Sequence, residues 1–142
     1  TSNPSLSKDG KTLYFSSNMP GSKGGNDIWK VSVNGDSYGE PQNAGDKINT
    51  EGNESFPFIT DDNVLFFSSE GRQGFGGLDV YKIDLNTNEE AINVGQPVNS
   101  EKDDFAFTYN VKKKVGFFSS NRAADAVDNI YKADPVCGVI IL

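Results

Sequence analysis

The chain has 142 residues, of which 35% are hydrophobic and 23% charged, and its formal net charge of -7 argues against nucleic-acid binding, which needs a basic face. It has no histidine, which excludes Ser-His-Asp and Cys-His catalytic arrangements. Its single cysteine, Cys137, cannot form an internal disulfide. No apolar run approaches the roughly 20 residues of a membrane-spanning helix, so direct membrane insertion is not expected.

Three similar units follow one another along the chain, and each contains the same short segments in the same order. In the first unit an apolar segment at 4–7 precedes Leu13–Ser17 (LYFSS), and Asp27–Lys30 (DIWK) comes next. The second unit has the corresponding segments at 56–59, 65–69 and 79–82, and the third has them at 105–108, 116–120 and 129–132. The Phe-Ser-Ser triplets are 52 and 51 residues apart, which predicts a repeat architecture.

The segments are short, rich in Phe, Tyr, Ile and Val, and bounded by Gly, Asn, Asp and Pro, which is typical of β-strands. The runs LYF, LFF and GFF do not alternate with polar residues, so we expect strands covered on both faces. No window has helical periodicity. Four-stranded antiparallel repeats of ~50 residues predict an all-β fold of about three β-propeller blades, part of a larger propeller. An open β-sandwich with duplicated hairpins is the alternative.

The repeat also predicts the domain boundaries. We expect the first propeller repeat at 1–52, the second at 53–102 and a partial third at 103–134. Two further segments, Gly45–Thr50 and Gly95–Ser100, resemble each other and should connect the outer edge of one blade to the inner strand of the next. Residues 135–142 are assigned to the start of a following β-domain or to a linker.

Two glycine-containing loops, NMPGSKGGN (18–26) and EGRQGFGG (70–77), join the middle strands of the first two units. We expect the paired glycines to let the backbone turn tightly, and Asp27 and Asp79 to cap the loops by accepting hydrogen bonds from loop amides. Asp9 is a third predicted turn cap. The loops predict a binding face made of seven residues: Lys23, Gly24, Gly25, Arg72, Phe75, Gly76 and Gly77.

Acidic residues are the only candidates for chemistry. Asp27, Asp79 and Asp128 recur once per unit, which raises the hypothesis of calcium ligands, but one carboxylate per blade suits a turn cap better than a converging site. The adjacent pairs Asp61-Asp62 and Asp103-Asp104 would point to opposite faces of a strand, which is poor geometry for a glycosidase. We therefore predict no catalytic residues, no cofactor and no enzyme activity.

The segment PSLSKDGKTLYFSS, followed by DIW, resembles the TolB-type, WD-like propeller repeat. The likeness falls on Pro4, Ser7, Asp9–Lys11 and Asp27–Trp29. More narrowly, PQNAGDKINTEGNESFPFI and VGQPVNSEKDDFAF are similar to linkers in the propellers of Bacteroidota OmpA-family envelope proteins, which include PorE-like proteins associated with type IX secretion. The tail DPVCGVIIL resembles the first strand of the regulatory β-domain that follows such propellers.

This resemblance implies a non-catalytic scaffold that mediates protein–protein interaction with other envelope proteins. It also implies a periplasmic, outer-membrane-associated location, with a peptidoglycan-binding OmpA domain lying outside this chain. The alternative is a carbohydrate- or peptidoglycan-binding module that uses exposed aromatic residues such as Trp29, Tyr38 and Phe75.

Overall fold

The structure, a computed structural model, describes residues 1–134 and the backbone of 138–141. It contains three antiparallel sheets. The first comprises β1 (Ser2–Leu6), β2 (Thr12–Ser17), β3 (Asp27–Asn34), β4 (Ser37–Tyr38) and β5 (Gln42–Asn43). The second comprises β6 (Glu54–Ile59), β7 (Val64–Ser69), β8 (Asp79–Asp84) and β9 (Ile92–Asn93). The third comprises β10 (Asp104–Asn110), β11 (Val115–Ser120), β12 (Asn129–Asp134) and β13 (Gly138–Ile141).

The all-β prediction is confirmed, because the described residues contain strands and turns but no α-helix. It follows that nothing in these ranges could cross a membrane as a helix. In the second and third sheets the strands follow chain order from an inner strand to an outer edge, and in the first sheet β4 and β5 both pair with β3. This meander of three or four main strands is the form of a propeller blade.

The sheets repeat one register. Ser17 lies opposite Asp27, Ser69 opposite Asp79, and Ser120 opposite Asn129. The apolar runs occupy the second strand of each sheet. In β7 the prediction of a strand covered on both faces is correct, because Leu65 and Phe67 pack towards the first sheet while Phe66 packs towards the third.

Two hydrophobic clusters hold the sheets together face to face. The cluster between the first and second sheets contains Tyr14 and Ile28 from one side and Leu65, Phe67 and Tyr81 from the other. The cluster between the second and third sheets is built by equivalent residues, with Phe66 and Val80 facing Phe107, Phe118 and Tyr131. Burial of aromatic and aliphatic side chains on both faces of the middle sheet is the main stabilising contribution to this stack.

Each inner strand carries a bulge at the same place. The register of β1, β6 and β10 with their neighbours shifts in mid-strand, and one residue near each shift has a left-handed backbone: Asn3 (φ 54°), Phe56 (φ 54°) and Ala106 (φ 58°). Left-handed angles are uncommon for residues other than glycine, and a bulge increases the twist of a strand. The repeated bulge therefore bends every inner strand in the same way.

The backbone of β13 pairs antiparallel with β12, with Asp134 opposite Gly138, and makes the outer strand of the third sheet. The assignment of residues 135–142 to the start of a following β-domain or to a linker stays a prediction, and residues 135–137 and 142 lie outside the described part of the chain. The repeat boundaries at 52 and 102 stay predictions.

Candidate binding face

The loops between β2 and β3 (18–26) and between β7 and β8 (70–78) lie at the same end of the sheets as the connections 44–53 and 94–103. We call these four segments the loop face. The backbone joins them directly, because Glu54 N donates to Asn26 O at 2.8 Å and Asp104 N donates to Leu78 O at 2.7 Å. Each loop is thus held against the connection that leads into the next sheet.

Asp27 and Asp79 are fully buried at the foot of their loops. The Asp27 carboxylate accepts from the amides of Lys23 (2.6 Å) and Gly24 (3.4 Å), and from Asn43 Nδ2 (2.7 Å). Asp79 accepts from the amide of Phe75 and from Asn93 Nδ2 (3.3 Å), while its Oδ1 has no partner among the described residues. Both side chains therefore fix the shape of a loop from inside, which is the geometry of a turn cap.

The paired glycines are needed for a reason other than the expected one. None of the four has a positive φ, so they are not required for a left-handed turn. A Cβ on Gly24 would lie 2.5 Å from backbone atoms of Glu51 and Gly52, and one on Gly76 would lie 2.6 Å from the Glu101 carbonyl carbon. A Cβ on Gly25 or Gly77 would instead meet the side chain of Asn53 or Asp103. The glycines allow close approach of loop and connection.

Of the seven residues predicted for the binding face, Lys23 and Phe75 present side chains to solvent. Phe75 is 46% exposed, and the Lys23 ammonium lies 3.3 Å from Asp46 Oδ1 in a solvent-accessible ion pair. Their loops also carry exposed glycine backbone. Exposed aromatic side chains such as Phe75 are enriched at protein contact surfaces, and a lysine such as Lys23 fits the polar rim of such a surface.

Arg72 points inward. Its guanidinium lies between the rings of Phe67 and Tyr81, 5.5 Å from each centroid, and donates to the carbonyl oxygens of Lys47 and Ile48 at 2.7 Å. With these donors used inside the fold, Arg72 joins the second sheet to the connection from the first. It is therefore placed as a structural residue of the loop face rather than as a ligand-binding side chain.

A buried carboxylate lies at the start of β6 and of β10. Glu54 accepts from Thr50 N (2.9 Å) and Ser69 Oγ (2.7 Å). Asp104 accepts from Ser100 N (2.6 Å), from Ser120 Oγ (2.6 Å) and, in an ion pair, from Arg122 (2.6 Å). The recurrence of Glu54 and Asp104 is visible in the sequence. The equivalence of Arg72 and Arg122 is not visible, because Arg72 follows Ser69 by three residues whereas Arg122 follows Ser120 by two.

Asn49 and Asn99 form a pair that the sequence analysis did not single out. Each is 1% exposed and pairs with the backbone of the third strand of the preceding sheet. Asn99 Oδ1 accepts from Val80 N at 2.7 Å, and its Nδ2 donates to Val80 O at 2.8 Å. The sequence feature that points to these asparagines is their repetition in the two connections, as Ile48-Asn49-Thr50 and Val98-Asn99-Ser100.

The three aspartates considered for calcium lie in three separate loops. Asp128 is exposed and precedes β12, where Asn129 rather than Asp128 occupies the position of Asp27 and Asp79. Within the described part of the chain, no three Asp, Glu, His or Cys side chains come together as a metal ion would need. Asp9, at the β1–β2 turn, accepts from Ser7 Oγ and Lys11 N, and these hydrogen bonds lower the pKa of its carboxyl group.

The comparisons with known proteins agree with this geometry. TolB from Acinetobacter baumannii matches with a TM-score of 0.69 and 20% sequence identity, over 99% of this chain and 31% of the TolB chain. The fold is that of TolB-type propeller blades. The chain thus spans less than a third of TolB. No protein-family model and no curated protein sequence matches it.

Two puromycin-hydrolysing enzymes also match in structure. A Mycobacterium tuberculosis puromycin-hydrolyzing peptidase has a TM-score of 0.49 and 13% identity, over 98% of this chain and 28% of its own. A puromycin hydrolase has a TM-score of 0.47 and 12% identity, over 97% of this chain and 28% of its own. No inference about the TolB-type blades described here rests on these two likenesses.

Proposed function

We propose that the chain is a non-catalytic β-propeller scaffold that binds other proteins of the bacterial cell envelope through its loop face. The observation that carries the proposal is the construction of that face. Buried Asp27 and Asp79 hold two loops from inside, and the loops present Lys23 and Phe75 to solvent. A rigid surface made of loops on a stacked-sheet framework suits attachment to a partner.

The resemblance of the linkers to those of OmpA-family envelope proteins supports the finer part of the proposal. The setting would be the periplasm beneath the outer membrane, in a PorE-like protein associated with type IX secretion. A peptidoglycan-binding domain outside this chain would tether it, and further blades would complete the propeller. The likeness to TolB supports the blade fold on which this proposal is built.

The seryl hydroxyls also favour attachment over turnover. Ser16, Ser17, Ser68 and Ser69 are each at most 2% exposed, so substrate could not reach them. Ser69 and Ser120 donate to Glu54 and Asp104 inside the sheets. The hydroxyls of these serines are thus used as hydrogen-bond donors within the fold.

Binding of a carbohydrate or of peptidoglycan is the second candidate, and the exposure of two aromatic rings favours it. Tyr38 is 66% exposed and Phe75 is 46% exposed, whereas Trp29, the third aromatic residue considered, is 7% exposed. Tyr38 lies on the outer-edge strand β4, in another part of the molecule from the loop at 70–78. Replacement of Tyr38 therefore distinguishes the two candidate functions.

The experiment is affinity capture from a periplasmic extract, followed by binding measurements with each purified captured protein. The double variant Lys23→Ala, Phe75→Ala should weaken binding at least tenfold, while Tyr38→Ala, a matched exposed aromatic outside the loop face, should bind as wild type does. Arg72 is left intact because its removal would disturb the fold. Equal binding by the double variant and the wild type would remove the loop face from the proposal. Muropeptide binding lost only in Tyr38→Ala would favour the second candidate.

A further inference from the structure

A cleft of about 620 Å³ opens between the second and third sheets, beside the β6–β7 turn, and reaches the connection 94–103 of the loop face. Its walls are Phe66 and Val64 from the second sheet, Phe107 and Tyr109 from β10, and Val98 from the connection. Small-molecule sites in proteins typically measure roughly 300–1,000 Å³ and are mostly apolar, with a few polar groups that orient the ligand. The cleft has this size and this chemistry.

The repeat explains why the cleft is apolar here. The corresponding opening between the first and second sheets, of about 640 Å³, is lined mainly by polar side chains of the β1–β2 and β6–β7 turns together with Tyr14, while Ile83 is 5% exposed in the cluster between these sheets. The residue equivalent to Ile83 in the third sheet is Ala133, since Ala133 follows Tyr131 in β12 as Ile83 follows Tyr81 in β8. Alanine has three fewer side-chain carbons than isoleucine, and Ala133 lines the cleft.

A second exchange, on the strand next to Ala133 in the third sheet, positions Phe107. Leu65 of the second sheet is replaced by Gly116 in the third, and the ring of Phe107 lies over this glycine. A Cβ at Gly116 would be 2.7 Å from Phe107 Cζ. Phe107 also stacks with Phe66, with 4.7 Å between ring centroids. The cleft therefore has an aromatic wall in a fixed position.

One unpaired charge lies at the cleft. Of the three charged residues that line it, Asp62 accepts a hydrogen bond from Thr60 in the β6–β7 turn, and Asp134 also has a partner. The Lys82 side chain is exposed, and no described residue forms a hydrogen bond or an ion pair with its ammonium group. An ammonium next to an apolar wall suits a ligand that carries one anionic group on an apolar body.

We propose that this cleft binds a small organic monocarboxylate with a ring-sized apolar body. The ring packs against Phe66, Phe107 and Tyr109, and the carboxylate pairs with the Lys82 ammonium. The site does not include Lys23 or Phe75, the exposed residues proposed to bind partner proteins.

The probe is 3-phenylpropionate, titrated into the full chain by calorimetry and followed by amide chemical shifts. We expect saturable binding with shifts confined to residues around the cleft. 3-Phenylpropanol, which keeps the ring and lacks the charge, should bind at least about tenfold more weakly. No saturable binding of the acid, or equal binding of the alcohol, would overturn the proposal. Tighter binding of a tripeptide ending in phenylalanine would make the occupant a polypeptide end, contrary to the small-molecule assignment.

Two variants separate the site from general surface binding. Lys82→Gln should weaken binding of the acid about tenfold, whereas Lys30→Gln, the equivalent lysine of the first sheet, should leave it unchanged. Ala133→Ile restores the residue found in the second sheet, so it should fill the cleft and abolish binding. Circular dichroism and the melting temperature establish that each variant is folded. Undiminished binding by folded Ala133→Ile protein would contradict the location.

Discussion

The side chain of Asn49 pairs with the backbone of Ile28 as a neighbouring strand would: Asn49 Oδ1 accepts from Ile28 N at 2.7 Å and Asn49 Nδ2 donates to Ile28 O at 2.8 Å. Asn99 makes the same two bonds with Val80. The connection between two sheets therefore continues the hydrogen bonding of β3 or β8 through a single buried carboxamide.

Replacing either asparagine with alanine should destabilise the protein by about 1–3 kcal/mol, because the buried backbone N–H of Ile28 or Val80 loses its partner, while the carbonyl oxygen keeps a hydrogen bond from Ala44 N or Val94 N. Chemical denaturation of Asn49→Ala and Asn99→Ala measures the loss. Asn18→Ala, an exposed asparagine in the β2–β3 loop, is the control and should unfold as wild type does. Wild-type stability of both buried-site variants would show that water replaces the carboxamide without cost.

Removal of Arg122 should cost more than removal of Arg72. Arg122 lies 2.6 Å from the fully buried Asp104 carboxylate, whereas Arg72 lies 3.8 Å from Glu54. Loss of one partner of a buried ion pair typically costs about 3–5 kcal/mol, since the remaining charge has no counter-ion. Arg122→Met should fall in this range, and the double variant Arg122→Met, Asp104→Asn should recover part of the loss. A double-mutant cycle without coupling between the two positions would contradict the ion pair.

The two glycines of each pair should respond differently to alanine. At Gly24 and Gly76 the new Cβ meets backbone atoms of the connection, which cannot move independently. At Gly25 and Gly77 it meets a side chain, which can rotate away. We therefore expect Gly24→Ala and Gly76→Ala to destabilise by about 1–3 kcal/mol, and their neighbours by less. The reverse order in thermal melts would mean that local backbone conformation, rather than close approach, selects these glycines.

Alkaline pH should destabilise the fold through Tyr14 and Tyr81. Burial raises the pKa of Tyr14, with a smaller contribution from the Asp9 charge, and burial also raises the pKa of Tyr81, partly offset by Asn93. A raised folded-state pKa means that the unfolded chain releases its proton first. The stabilisation is therefore complete below pH 10.0, the ordinary tyrosine value, and decreases as pH rises above it.

Unfolding free energies measured between neutral pH and the alkaline range, with absorbance detection of tyrosinate, test this prediction. The variants Tyr14→Phe and Tyr81→Phe should each flatten the alkaline decrease, and Tyr38→Phe, which is exposed, should not. A decrease of the same size in all three variants would assign the effect to other groups.

The elements that could be predicted from the sequence are those with a repeating pattern. The Phe-Ser-Ser spacing and the unbroken apolar runs indicated stacked antiparallel sheets, and β7, buried on both faces, shows why. The loop aspartates lie where the repeat places them. The close approach behind Gly24 was not predictable, because the obstacle lies 27 residues away in sequence, at Glu51, and no local rule connects the two.

Arg72 shows the same limit for the candidate site. A basic residue in a polar loop predicts a surface cation, and only the three-dimensional structure reveals carbonyl oxygens of Lys47 and Ile48 beside it. A strand was expected in the C-terminal segment, and its pairing with β12 is likewise visible only in three dimensions.

The burial of the middle sheet on both faces has a consequence for how the stack opens. Leu65 and Val80 have no exposed surface, whereas Ile130, the equivalent of Val80 in the third sheet, is 58% exposed. Amide protons of β7 and β8 can exchange with solvent only after a neighbouring sheet has separated, so their exchange should approach the rate set by global unfolding. Amide protons of β11 and β12 need a smaller opening before they exchange. Exchange should therefore be faster in the third sheet than in the second, as in a repeat array in which each unit stabilises its neighbour.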